Sequence, residues 1–206
     1  MAADPNTSDD PLNPLWEKAT EAAKNNDWPG VLFVWKSLAD KGIWQICARI
    51  GEIYERGADG VEQNFSEAIR WYNKGVFVGD DPLAHLGIGR AYCNGTGVDR
   101  DHAKALSHFK RAAEYGRPEA NLYLGNMYFE GVEVKRDRSR AEEYYRVAAR
   151  AGYPIAYGYL ARLALGRGRL FKAIGFFFSG LKLANMISKE NPNDPRLFEI
   201  TEWSKR

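Results

Sequence analysis

The chain has 206 residues, of which 45% are hydrophobic and 13% aromatic, and its formal net charge is +2. It is too apolar to be a disordered chain, long enough for one domain or a short repeat array, and too nearly neutral for charge alone to imply nucleic acid. Cys47 and Cys93 make neither a CxxC pair nor a disulfide framework, so a reducing, cytoplasmic setting is expected, or a periplasmic one if a leader has been removed.

Residues 1–13 are rich in Asp, Asn, Pro and Ser, and disorder is expected there; the opening MAADPNTSDD has no basic run or apolar core of a signal peptide. Residues 14–42 read as a degenerate helical hairpin. Leu15, Trp16, Ala19, Ala22 and Ala23 recur at helical spacing, and Asn25–Asp27 break the pattern. Pro29 then suits the first turn of a second helix, whose apolar face is Val31, Val34, Trp35, Leu38 and Ala39, with Gly42 at its end.

From here the chain repeats itself. Ala84, Ile88-Gly89, Tyr92, Gly95, Lys104-Ala105, Phe109, Ala112-Ala113 and Gly116 recur thirty-six residues later as Ala120, Leu124-Gly125, Tyr128, Gly131, Ala141, Tyr145, Ala148-Ala149 and Gly152. The same markers stand earlier as Ile50-Gly51, Tyr54, Gly57, Ala68, Tyr72 and Gly79, with one extra residue in the turn. Units of about 43–80, 81–116, 117–152 and 153–184 follow, each new unit opened by Pro82, Pro118 or Pro154 after a glycine that ends a helix. Within a unit, Ala84, Ile88 and Tyr92 form one stripe of a first helix, and Ala105, Phe109 and Ala112 the facing stripe of a second. Gly89 lets the two approach closely. One hairpin cannot bury both faces alone, so hairpins stack.

These residues resemble the Sel-one-like repeat, a relative of the tetratricopeptide repeat, down to Trp71-Tyr72 and Lys104-Ala105. The resemblance covers 46–152 and extends loosely to 153–184. It implies an all-α fold: a right-handed α-solenoid of antiparallel helical hairpins. The fourth unit departs, since Ala161 to Ala173 is four residues shorter than its counterparts and needs a tight turn through Gly166-Arg167-Gly168. A longer helix is expected from Leu170 to about Met186 or Ser188. Residues 185–206 are assigned to a C-terminal capping helix, with Asp194-Pro195 at its start and Leu197, Ile200 and Trp203 on one face. No apolar stretch of about 18 residues is free of charge, so no membrane span is expected.

Nothing points to catalysis, a metal or a cofactor. His102 and His108 are six apart, off the i, i+4 spacing of a zinc helix, and Gly95–Gly97 match no phosphate-binding pattern. The resemblance implies a non-enzymatic adaptor or scaffold that binds a protein or peptide partner in its concave groove. Mapping that groove by register gives Leu86, Arg90, Asn94, Leu122, Asn126, Phe129 and Arg162, a mixture of apolar anchors and polar groups. Leu86, Leu122 and Phe129 fall equally where residues pack between repeats, and both readings stand at this point. A second surface is the basic end: from Tyr144 to Lys189 there is no Asp or Glu but there are eight Arg and Lys residues. Nucleic acid is not expected as a partner, and the oligomeric state is left open. The alternative function is an immunity protein that neutralises a secreted bacterial toxin effector such as a lipase. Phe176-Phe177-Phe178 span about 200° of a helix, so one ring should leave the normal core.

Overall fold

The computed structural model describes residues 12–197. Among them are ten α-helices: α1 (Asn13–Lys24), α2 (Trp28–Asp40), α3 (Cys47–Arg56), α4 (Phe65–Gly79), α5 (Pro82–Asn94), α6 (His102–Glu114), α7 (Pro118–Glu130), α8 (Arg138–Arg150), α9 (Pro154–Leu165) and α10 (Leu170–Glu190). Short 3-10 turns cover Trp44–Ile46 and Pro195–Leu197. Local chemistry sets the starts. The carboxylate of Asp27 accepts the Gly30 amide at 2.9 Å, Asn64 that of Glu67 at 3.0 Å, and Asp137 those of Ser139 and Arg140 at 2.9 and 3.0 Å, each filling donors that a helix start leaves open. Prolines 82, 118 and 154 each take the first helical position, where a missing N–H costs nothing.

The chain divides into two compact units at Ala112–Ala113, inside α6. In the first, α1 packs on α2 and α3 on α4. Leu32, Leu38, Ile46, Cys47, Ile50 and Trp71 form the buried centre, and Trp16 and Trp35 lean on it. In the second, α7 pairs with α8 and α9 with α10 around Leu122, Tyr145, Tyr153 and Leu160. The fold is an all-α array of helical hairpins.

One contact is repeated. A Cβ placed on Gly51 would lie 2.5 Å from the Tyr72 ring, on Gly89 2.6 Å from Phe109, and on Gly125 2.4 Å from Tyr145. Each glycine of a first helix is thus the hole for the aromatic knob of the second, and all three rings are buried.

The helix ends correct one detail. The left-handed position stands two residues before each proline, at Gly116 (φ 79°) and Gly152 (φ 89°), and in the earlier unit at Asp80 (φ 49°) rather than Gly79. Gly79 remains helical and lies against Trp44, where a side chain would not fit. Asp is among the few residues with a side chain that tolerate this conformation.

The fourth hairpin breaks the repeat. Ala161 stands where the glycine would be, so the hole is closed. Phe177, which matches Phe109 and Tyr145 in register, is 59% exposed. Phe176 packs instead beside Ala161, Ala164 and Ala173. Phe178 is 62% exposed, so two rings leave the core and not one. α10 runs on to Glu190 and is long and apolar enough to cross a membrane by length and composition, with a mean hydropathy of 1.3 over an 18-residue window. The expectation about membrane spans is narrowed accordingly: lysines interrupt this window without lowering its hydropathy below that of a span. Of the segment 185–206 assigned to a capping helix, residues 185–190 belong to α10 and Pro195–Leu197 form a 3-10 turn, while 198–206 lie outside the described residues.

Candidate protein-binding surface

The predicted surface residues separate into three groups. Leu86 and Leu122 are wholly buried within their units. They pack the repeats and leave no surface for a partner.

Arg90 is half-buried and already engaged. Its Nε and Nη2 donate to the two carboxylate oxygens of Glu55 at 3.2 and 2.6 Å, a two-point pairing between α5 and the end of α3. The Tyr72 hydroxyl donates to the same carboxylate. Burial first, and Glu55 next, push the Tyr72 phenol far above its ordinary value, so the hydroxyl stays a donor. Asn94, half-buried, is the last residue of α5. Asn126 is buried and plays the same joining part in the second unit. It accepts from the Tyr145 hydroxyl at 2.6 Å and reaches the Tyr159 hydroxyl at 3.5 Å, while the two tyrosine rings stack at 4.8 Å. These polar groups tie α7, α8 and α9 together.

The third group pairs a buried ring, Phe129, with an exposed guanidinium, Arg162. Phe129, at the end of α7, is buried to 8% exposure, but guanidinium groups surround its ring. Arg162 of α9 stands 4.6 Å from the ring centre, Arg136 5.7 Å and Arg138 6.0 Å. Arg136 also donates through Nε to the Phe129 carbonyl at 2.9 Å, which fixes the loop before α8 over the ring. The side chain of Arg162 is 62% exposed and has Glu130 at 3.7 Å. Arg136 and Arg138, both exposed, have no carboxylate within 4 Å among the described residues. A ring face attracts cations and orders long side chains that would otherwise move. The result is a preset cluster of three planar donors with one weak counter-ion, chemically suited to carboxylates.

Two further clusters were not apparent from spacing. Glu142 of α8 receives Arg146 at 2.7 Å, Arg167 from the α9–α10 turn, and Lys172 at 3.9 Å. The Arg146 and Arg167 hydrogen bonds hold its carboxyl below the usual range. The second is His85, whose Nε2 lies 2.7 Å from Asp80 and whose Nδ1 lies 2.8 Å from Nδ1 of His108. A carboxylate only accepts, so Nε2 of His85 donates to Asp80, and the two Nδ1 atoms share one hydrogen bond. Asp80 also binds Arg111, with Nε at 3.1 Å, which accounts for Asp in place of glycine at the left-handed position. Burial, then the adjacent His85, push His108 down to about 4. Reading the histidines in sequence order pairs His102 with His108; it is the α5–α6 packing that pairs His85 with His108. Cys47 and Cys93 are both buried, and burial raises the Cys47 thiol.

Comparison with known proteins agrees with this architecture. A family profile described as Sel1 repeat matches residues 46–76, 82–116 and 118–153. The chain is 26% identical to a Sel1 repeat protein from Oxalobacter formigenes, with a TM-score of 0.70 over 93% of this chain and 87% of that one. It is 22% identical to c5321, a protective antigen of uropathogenic Escherichia coli with an SLR fold, at a TM-score of 0.68 over 87% of this chain and 42% of that one. The immunity protein Pa5087 from Pseudomonas aeruginosa is also 22% identical, with a TM-score of 0.57 over 89% of this chain and 72% of that one. The shared repeat, its three matched copies and the paired-helix fold place this chain in the Sel1 repeat family.

Proposed function

We propose that the chain is a non-enzymatic adaptor that binds an acidic segment of a protein partner over Phe129, through Arg136, Arg138 and Arg162. Sel1 repeat proteins generally mediate protein–protein interaction, and their fold is typically a non-catalytic scaffold. The observation that carries the finer reading is the set of three exposed guanidinium groups ordered on one buried ring. Arginines held over an aromatic ring are frequent binding hot spots, since little conformational freedom remains to be lost on binding. The groove is thereby reduced to its second-unit part: Leu86 and Leu122 are replaced by Arg136 and Arg138, and Arg90 and Asn126 become supports.

The test is affinity capture from the native organism with wild type and with Arg136→Glu/Arg162→Glu. The reading predicts a partner retained by wild type and lost by the variant, with unchanged circular dichroism. The same partner captured equally by both would refute it.

A second reading makes the chain an immunity protein that neutralises a secreted toxin effector such as a lipase. The likeness of fold to Pa5087 supports it. Inhibition of a toxin encoded beside this gene, by the purified chain at near-equal stoichiometry, is the outcome it requires; an unaffected toxin removes it.

A further inference from the structure

Along α10 the large apolar residues turned away from α9 form one stripe. Phe171, Ile174, Phe178 and Leu181 follow each other at 3-4-3 spacing, with Leu170 and Phe177 beside them, and all six are exposed; Phe171 reaches 89%. The opposite side, Ala173, Gly180 and Ile187, is buried, and Gly180 lets the helix lie against Tyr157 and the Pro154 carbonyl. The stripe covers about 120° of the helix and runs about 17 Å. Only 17% of the 18-residue apolar window is buried.

We propose that this face docks on an anionic lipid bilayer, α10 lying in the plane of the interface with the stripe immersed. Charge is the first argument. Arg169, Lys182 and Lys189 border the stripe and have no carboxylate partner among the described residues, and the chain holds no acid from Tyr144 to Lys189. A helix with Phe and Leu on one side and Lys and Arg around them is the pattern that binds anionic bilayer surfaces. The second argument is hydrogen bonding. A protein interface carries a hydrogen bond for every 100–200 Å² or so, yet between Leu170 and Leu181 the helix presents almost no free polar group. Ser179 donates to the Gly175 carbonyl of its own helix at 2.8 Å, and Lys172 turns toward Glu142 at 3.9 Å. Hydrocarbon asks for no such partners.

Other occupants fit less well. A second copy would bring Lys182 and Lys189 against the same cations, with no acid on α10 before Glu190 to oppose them. Residues 198–206 offer three large apolar side chains, Phe198, Ile200 and Trp203, against the six exposed on the stripe.

The experiment is flotation of the full chain with vesicles of phosphatidylcholine alone and of phosphatidylcholine with an equal part of phosphatidylglycerol. Binding to the anionic vesicles is expected, at least tenfold weaker to the neutral ones. Phe171→Ser/Phe178→Ser and, independently, Lys182→Glu/Lys189→Glu should each lower it at least tenfold. All four side chains are exposed, so melting should be unchanged. No flotation, or flotation indifferent to both variants, overturns the proposal. So does a concentration-dependent dimer abolished by the phenylalanine variant without vesicle binding, which assigns the face to a second copy. Flotation only after truncation at Leu197 overturns it too, and assigns the face to the tail.

Discussion

A missing methyl sets the distance between paired helices. Gly51, Gly89 and Gly125 face Tyr72, Phe109 and Tyr145 at separations no Cβ tolerates. A leucine at Gly89 or Gly125 must displace a wholly buried ring, and we expect a loss of about 1–3 kcal/mol or more. At roughly 2–4 °C per kcal/mol for a chain of this size, thermal denaturation would show it clearly; a melting temperature equal to wild type would mean that the ring has somewhere else to go. The His85–His108 pair makes a different prediction. His108 has its folded value lowered to about 4, against about 6.5 unfolded. Its contribution is therefore fully present above pH 6.5 and lost as pH falls through 4, because the unfolded state binds the proton first. The groups facing the pair are Asp80, Arg111 and Tyr92, the last stacked on His108 with Lys104 over its ring. Denaturant midpoints measured from pH 7 to 4 should decline less for His108→Gln than for wild type. Parallel declines would show that the histidine does not carry the effect.

At the scale of elements, what could be read in advance was what recurs. Three units keep alanine, glycine and aromatic positions in register, so both the hairpins and their knob-and-hole contact follow from spacing. The fourth unit was legible as a departure but not in its consequence. Ala161 closes the hole, Phe177 is turned out, and Phe176 takes over the packing between Arg146 and Lys172. The Phe171–Leu181 stripe stands in the sequence at 3-4-3 spacing, but it is overlapped by three adjacent phenylalanines that have no helical period of their own. Ion pairs across helices were not legible, since Glu55 with Arg90 and Glu142 with Arg167 lie 35 and 25 residues apart. Glu142 joins α8 to the α9–α10 turn. We expect Glu142→Gln to speed amide hydrogen exchange around residues 166–173 while leaving α7 unaffected. The same loosening should appear in wild type as pH falls through the lowered Glu142 value, since a carboxylate held down by arginines stabilises above the ordinary carboxylate range and not below it. Equal exchange around residues 166–173 in wild type and Glu142→Gln would remove Glu142 as a staple.

For the whole molecule, the repeat family accounts for the scaffold, and the side chains that depart from the repeat account for its surfaces. Register alone placed Leu86, Leu122 and Phe129 on the groove, yet Leu86 and Leu122 are wholly buried and Phe129 nearly so. Helices in a stacked array have two covered sides, and spacing does not distinguish a side that meets a neighbour from one that meets solvent. Arg162 alone among the seven predicted residues is exposed, and it leads to Arg136 and Arg138 through their common ring. The most direct measurement is the affinity of the captured partner for wild type and for Arg136→Glu/Arg162→Glu, in low and in raised salt. The account predicts weakening of at least tenfold for the variant and a marked loss of wild-type affinity as salt rises. Equal affinities, insensitive to salt, would contradict it.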